Sequence, residues 1–222
     1  MPTVLITGCD TGLGVEFARQ YAAEGCRVFA TCLDPDSAKA ARAIKGDVRV
    51  LKLDVSDLAA IDALSADITE PVDILLSNAG LGKHHPGFGD TDYDQWQRIL
   101  AVNLMGPMRL AEAFVEHVAR SSMKVMAFVS SRMGSIALNL TGGSYAYRSS
   151  KAGLNAVVKS LAVDLQSRGI LVVALHPGWA KTELGARVDV DRSVAGMRAV
   201  IQRCSRHETG SFFAFNDTLL PW

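Results

Sequence analysis

The sequence lacks an excess of charge of either sign: Lys and Arg total 23, and Asp and Glu total 23. Such a balance offers no field for a phosphate backbone or an anionic bilayer, so neither nucleic acid nor a membrane surface is an expected partner. Cysteine is scarce. Cys9, Cys26, Cys32 and Cys204 are the only four, with no metal-ligand spacing. That excludes a disulfide scaffold and suits ordinary packing in a reducing compartment. No apolar run approaches the ~20 residues that span a bilayer, and the first apolar run begins at Thr3 without a basic leader. A cytoplasmic location is the expectation. There is no repeat, low-complexity tract or interdomain linker in the 222 residues, which predicts one domain over 1–222.

Apolar residues, by contrast, make up 49% of the chain, ample for a large core. Residues 3–7 are a short run of strand formers, followed at once by Gly8-Cys-Asp-Thr-Gly-Leu-Gly14. Residues 13–24 carry helical periodicity through Leu13, Phe17, Ala18 and Tyr21, and stop at Gly25. Residues 26–31 read as a second strand. Strand, glycine turn, helix and strand together spell a parallel crossover unit.

The alternation continues. Strands are expected over 48–53, 72–76, 124–129, 170–175 and 210–215. Helices are expected over 38–44, 58–68, 93–102, 105–118 and 193–202, and over a longer stretch that carries Tyr147 and Lys151 and runs on to about 167, with Asn103 marking a break between 93–102 and 105–118. Of these, 58–68 has Ser56 or Asp57 as its N-cap. Most strands lack polar alternation, as strands buried on both faces do. The predicted fold is α/β, a doubly wound parallel sheet of about seven strands with helices on both faces.

Chemistry concentrates in two stretches. After a strand, Gly8, Gly12 and Gly14 allow a tight turn and close backbone approach to a pyrophosphate at a helix N-terminus. Their Gly-x-x-x-Gly-x-Gly spacing is not the commoner Gly-x-Gly-x-x-Gly, and alone it is a weak signal. Tyr147 and Lys151 stand four apart on a predicted helix, which puts them on one face a turn apart. A phenol has a pKa of about 10, so a shift of about three units toward neutrality needs roughly 4 kcal/mol of differential interaction. A fixed ammonium nearby is expected to supply much of it. Tyr145 is a poorer candidate, because Ser149 and not a lysine follows four residues later. His84-His85 has no acid or cysteine spaced to complete a metal site, and no metal is expected. His176 at a strand end reads as structural.

Taken in order, Thr7-Gly-x-x-x-Gly-x-Gly14, Asn78-Ala-Gly80, Asn103, Ser131, Tyr147-x-x-x-Lys151 and Pro177-Gly178 with Thr182 resemble the short-chain dehydrogenase/reductase family over the whole chain. Residues 130–136, 141–155, 193–197 and 220–222 also resemble its C-factor and carbonyl reductase branch. The resemblance implies a single-domain Rossmann fold, a nicotinamide cofactor and reversible hydride transfer between a carbonyl and an alcohol. Ser131, followed by x-x-Gly134, matches the serine that aims the carbonyl, and Ser130 reads as structural. Tyr147 matches the acid/base, Lys151 the group that tunes it and grips the ribose, and Asn103 the holder of a water leading from Lys151.

For the cofactor, the resemblance points to Gly8, Asp10, Thr11, Gly12, Leu13 and Gly14 at the pyrophosphate. Cys32, Leu33, Asp54 and Val55 fall at the adenosine, and Asn78, Ala79 and Gly80 beneath the cofactor. Tyr147, Lys151, Pro177, Gly178 and Thr182 fall at the nicotinamide end. The family usually has an Asn where this chain has Ser77. Leu33 stands where the related branch often has an Arg, and Asp10 adds negative charge, so NAD is expected over NADP. Residues 179–189 leave room for only a short substrate lid, which predicts an open site for varied or bulky carbonyls, with Phe88, Trp179 and Leu184 flanking it. The substrate is expected to be a small-molecule carbonyl or alcohol. A homodimer or homotetramer paired through helices 105–118 and 147–167 is implied. The C-factor likeness raises one alternative, a cofactor-binding signalling protein with little turnover.

Overall fold

The first strand already shows why the sheet is covered on both sides. In β1 (Thr3–Ile6) all four residues are buried. Val4 and Ile6 enter one apolar cluster and Leu5 enters another, as the two-residue period of a strand dictates. The structure, a computed structural model, describes residues 1–82, 87–178 and 188–222. After β1 come α1 (Gly12–Ala23), β2 (Arg27–Cys32), α2 (Lys39–Arg42), β3 (Val48–Lys52), α3 (Leu58–Asp67) and β4 (Ile74–Ser77). The second half contains α4 (Tyr93–Leu100), α5 (Gly106–Ala119), β5 (Val125–Val129), α6 (Tyr145–Asp164), β6 (Leu171–His176), α7 (Val190–Arg203) and β7 (Ser211–Ala214).

The seven strands lie in the order β3-β2-β1-β4-β5-β6-β7, and every pairing is parallel. Val4 sits opposite both Val28 and Ile74, and Ala127 opposite both Leu76 and Val173. Phe17 and Tyr21 of α1 pack with Met197 and Val200 of α7 on one face. Ile61 of α3, Phe114 of α5, and Leu154 and Val158 of α6 cover the other. This is the expected doubly wound α/β fold. Strand order reverses between β1 and β4, so a crevice opens at their C-terminal ends, with the ends of β5 and β6 beside it.

Two local readings change. The helix break expected at Asn103 is a continuous helical run from Tyr93 to Ala119, widened to a π turn over Ala101–Met105. A π turn lets the chain take up an extra residue without ending the helix, and here it holds Asn103 fully buried. At α3 the cap is Asp57, whose side chain accepts from Ala60 N, while Asp54 accepts from the Ser56 amide and hydroxyl. Element ends otherwise move by one to three residues, within the ordinary fraying of helix and strand termini. The last residues also brace the site. The Trp222 ring stacks on Phe212 with centroids 5.5 Å apart. Its main-chain oxygen accepts from Ala137 N at 3.1 Å and Ser135 Oγ at 3.2 Å, just beyond the end of β5.

Candidate active site

The crevice between β1 and β4 is built almost wholly of backbone. The chain leaves β1 through Gly8, whose φ is 72°. A Cβ there would meet Ala79 Cα at 2.7 Å, and one on Gly14 would meet the Gly8 carbonyl oxygen at 2.0 Å. Neither position can carry a side chain without moving main chain. Asn78 locks the arrangement: its Nδ2 donates to Thr7 O at 2.9 Å and Gly8 O at 3.1 Å. In return, Thr7 Oγ1 accepts from the Asn78 and Ala79 amides, each at 3.0 Å. The glycine turn and the 78–80 turn are therefore one unit.

Thr11, the N-cap of α1, makes no side-chain cap bond, so the first amides of this 12-residue helix are left for an anion. Nothing lies within 4 Å of where a Gly12 Cβ would point. These features fit a pyrophosphate. At the rim, Asp10 Oδ1 accepts from Leu33 N at 2.9 Å, which joins the glycine turn to the end of β2. Leu33 is exposed and Cys32 buried. One Asp54 oxygen serves its own turn through Ser56. Val55 is buried against Gly106, where a Cβ would come within 2.3 Å of the Val55 oxygen.

Beside this cradle the side chains take over. β5 delivers adjacent serines that diverge in role. Ser130 Oγ donates to Asn155 Oδ1 at 2.6 Å in a buried contact. Ser131 turns the other way: its hydroxyl accepts from Met133 N at 3.2 Å and lies near enough to the Tyr147 phenol to favour its ionised form. Lys151, one turn along α6, is buried, and its Nζ donates to Val129 O at 2.8 Å. Asn103 reaches from the π turn, donating through Nδ2 to Leu81 O at 2.8 Å and Ser150 Oγ at 3.0 Å. Its Oδ1 accepts from Leu81 N at 2.8 Å. A Cβ on Gly80 would lie 3.3 Å from Asn103 Oδ1 and 3.6 Å from Lys151 Nζ. Ser131, Tyr147, Lys151, Asn103 and the 78–80 turn thus share one site.

The electrostatics differ from the expectation drawn from spacing. Burial pushes the Tyr147 phenol above its ordinary value, and only the nearby Ser131 hydroxyl opposes that. Lys151 does not hold the phenol down in this arrangement. Burial instead pushes the lysine itself down to about 8, with its ammonium aimed at a main-chain carbonyl. Spacing brings the two residues to one face, but depth decides which form of each is favoured. His176 is held down to about 4 by burial and then by the Arg132 charge. As a neutral imidazole its Nδ1 accepts from Arg132 N at 3.3 Å, a structural role.

Pro177 and Gly178 follow β6, with Ser193 Oγ donating to Pro177 O. Phe88 is exposed. Thr182, Trp179, Leu184, His84 and His85 lie outside the described residues. Among the described residues no group of three or more His, Cys, Asp or Glu could hold a metal ion, and no helix is long and apolar enough to cross a membrane. Reading the sequence missed Thr7 as a clamp, although its place at the strand end before the first glycine was a usable signal. It also missed Ser150, which accepts from Asn103 and donates to Tyr147 O, and Gly82, where a Cβ would stand 2.9 Å from Tyr147 Cε2. Nothing in their sequence context marks those two.

A parallel doubly wound sheet, a glycine turn at its point of reversal and a Ser-Tyr-Lys set on the same edge describe a dinucleotide-type oxidoreductase scaffold. The chain matches the short chain dehydrogenase family over residues 2–193 and belongs to it, and it is an oxidoreductase. It is 41% identical to C-signal of Myxococcus xanthus over 157 residues, covering 69% of this chain and 95% of that one. Carbonyl reductase Sniffer of D. melanogaster superposes with a TM-score of 0.93 at 31% identity, covering 100% of both chains. An NADPH-bound carbonyl reductase from chicken fatty liver superposes at 0.90 with 28% identity, over 100% of this chain and 99% of the other.

Proposed function

We propose that this chain transfers a hydride between a nicotinamide cofactor and a carbonyl or secondary alcohol, with Tyr147 as acid and base. The observation that carries the reading is the meeting of the Ser131 and Tyr147 hydroxyls beside the glycine cradle, with Lys151 buried behind them. A bound nicotinamide would supply or accept the hydride. Gly8, Asp10, Thr11, Gly12, Leu13 and Gly14 would hold its pyrophosphate, and Cys32, Leu33, Asp54 and Val55 would border the adenosine. Asn78, Ala79 and Gly80 would lie beneath it, with Pro177, Gly178 and Thr182 at the nicotinamide.

In the reducing direction the Ser131 hydroxyl donates to the carbonyl oxygen and keeps it against Tyr147. The phenol gives its proton to the alkoxide oxygen as charge develops there; oxidation reverses the step. A phenol raised by burial suits the donor. Lys151, at about 8, is still mostly cationic at pH 7, and with a cofactor bound and water excluded from the site its charge would oppose the cost of leaving a phenolate there. Asn103 fixes Leu81 and so the wall over the reacting groups.

The expectation of NAD rested on Leu33 and Asp10. The NADPH-bound neighbour supports the phosphorylated cofactor instead, and NADP is the better working choice for this chain. The sequence leaves only 179–189 between Gly178 and α7, a length that favours an open site for bulky carbonyls. One domain over 1–222, a cytoplasmic location and a homo-oligomer paired through α5 and α6 complete the reading. The signalling alternative has no observation of its own in the site. Purified protein offered a panel of aldehydes and ketones with NADPH and with NADH tests the reaction and the choice of cofactor directly. Turnover is expected, faster with NADPH at equal subsaturating concentration; no turnover with either cofactor across the panel contradicts the reading.

A further inference from the structure

The residue next to the acid/base is Arg148, whose guanidinium bonds to Thr141, Gly142, Gly143 and Met133. Its side chain meets a tight segment. Gly142, Gly143 and Ser144 have φ values of 64°, 65° and 52°, three successive residues in the left-handed region immediately before α6. Glycine tolerates this region, but serine is uncommon there, and such a run persists only where its surroundings hold it. Packing gives it little support on one side, where a cavity of about 250 Å³ lies between the loop and Ile136, Asn139, Tyr145 and Ala152.

The guanidinium fills that supporting role. Arg148 Nε is shared between Gly142 O at 3.3 Å and Gly143 O at 3.2 Å. Nη2 donates to Thr141 Oγ1 at 2.9 Å, and Nη1 reaches Met133 O at 3.5 Å. All four acceptors are neutral. What the site uses is the planar fork of five donors, which can serve several carbonyls at once, and a lysine ammonium cannot reproduce that geometry. The Met133 contact matters most for chemistry. Met133 N also donates to Ser131 Oγ, so one side chain joins the turn that carries Ser131 to the loop that leads into Tyr147.

We infer that Arg148 is a positioning residue, whose guanidinium fastens the 141–144 loop to the Ser131 turn and thereby sets the Tyr147 hydroxyl against Ser131. The inference rests on the proposed carbonyl chemistry for its kinetic consequence, but not for its structural one. A displacement near 1 Å in a catalytic group can cost about a hundredfold in rate.

The test compares wild type, Arg148→Ala and Arg148→Lys, with Tyr147→Phe as control. The readouts are kcat, cofactor Kd and amide hydrogen exchange over residues 139–147. Arg148→Ala is expected to lower kcat by about a hundredfold and to speed exchange over 141–147, with cofactor Kd nearly unchanged. Arg148→Lys should resemble Arg148→Ala, because charge alone does not rebuild the fork. Added guanidinium at a non-denaturing concentration should restore part of the lost kcat in Arg148→Ala and none in Tyr147→Phe. Wild-type kcat in Arg148→Ala, or full recovery with Lys, overturns the inference. So does unchanged exchange. If the wild-type protein turns over no carbonyl, the functional reading fails by itself, and the exchange data still decide whether the clamp exists.

Discussion

The two halves of the crevice are made of different materials. On the β1 and β4 side the working groups are main-chain amides, held by glycines whose neighbours leave no room for a Cβ: 2.0 Å at Gly14 and 2.7 Å at Gly8. On the β5 and β6 side they are side chains, and their behaviour follows from burial and single polar neighbours, as with Val129 O beside Lys151 and Ser131 beside Tyr147. A backbone site tolerates no added volume, since main chain cannot step aside cheaply. A side-chain site tolerates changes of volume but is sensitive to the loss of one polar atom. Errors in the first half should therefore appear as lost folding and lost cofactor binding, and errors in the second as lost turnover.

The largest effect is expected at Gly14. Gly14→Ala must displace the Gly8 carbonyl, and overpacking of this kind costs about 3 kcal/mol or more. Urea midpoints and a cofactor titration should both report the loss. Normal stability with normal cofactor affinity would show that the cradle gives way more easily than its geometry implies.

The adjacent serines bring the contrast down to one peptide unit. Ser131→Ala removes a donor aimed at the reacting oxygen and is expected to cost about a hundredfold in kcat, with little change in unfolding free energy. Ser130→Ala strips a partner from buried Asn155 and is expected to cost about 1–3 kcal/mol of stability while kcat holds. Steady-state kinetics and denaturation on the same two variants check the crossing. If both serines affect turnover alike, the division between them is wrong.

The smallest effect concerns pH. Lys151 binds its proton less tightly folded, at about 8, than unfolded, at 10.5. Between those values the unfolded chain holds more protons, so this residue's contribution to stability rises with pH, by at most about 1.4 kcal/mol per pH unit. The buried cysteines act oppositely, because their thiols are pushed up on folding. The useful quantity is therefore the slope of wild type minus that of Lys151→Met between pH 8 and 9. It should be positive; equal slopes would mean that the ammonium is better solvated than its surroundings suggest.

How legible all this was from sequence also divides along the crevice. The backbone half could be read almost completely. A strand that ends in Gly8, Gly12 and Gly14 and runs into a helix has few other ways to fold, since the glycines mark where main chain must pass close to main chain. The side-chain half was legible in identity but not in state. Spacing put Tyr147 and Lys151 on one face, yet how far each is desolvated depends on Val129, Gly80 and Gly82, which come from distant segments. The π turn at Asn103 escaped because one shifted hydrogen bond leaves no trace in residue propensity, and a buried Asn looked like a break. Arg148 escaped for a related reason: its acceptors are carbonyls, and no sequence pattern announces where a carbonyl points.

Tyr147 is expected to move the proton while doing little to hold the cofactor in place. The most direct test is Tyr147→Phe, with kcat on the best carbonyl of the panel measured alongside cofactor Kd. A fall of about a thousandfold in kcat is expected, with Kd changed by less than about threefold. Retained turnover, or a loss of turnover matched by a loss of cofactor binding, would contradict it.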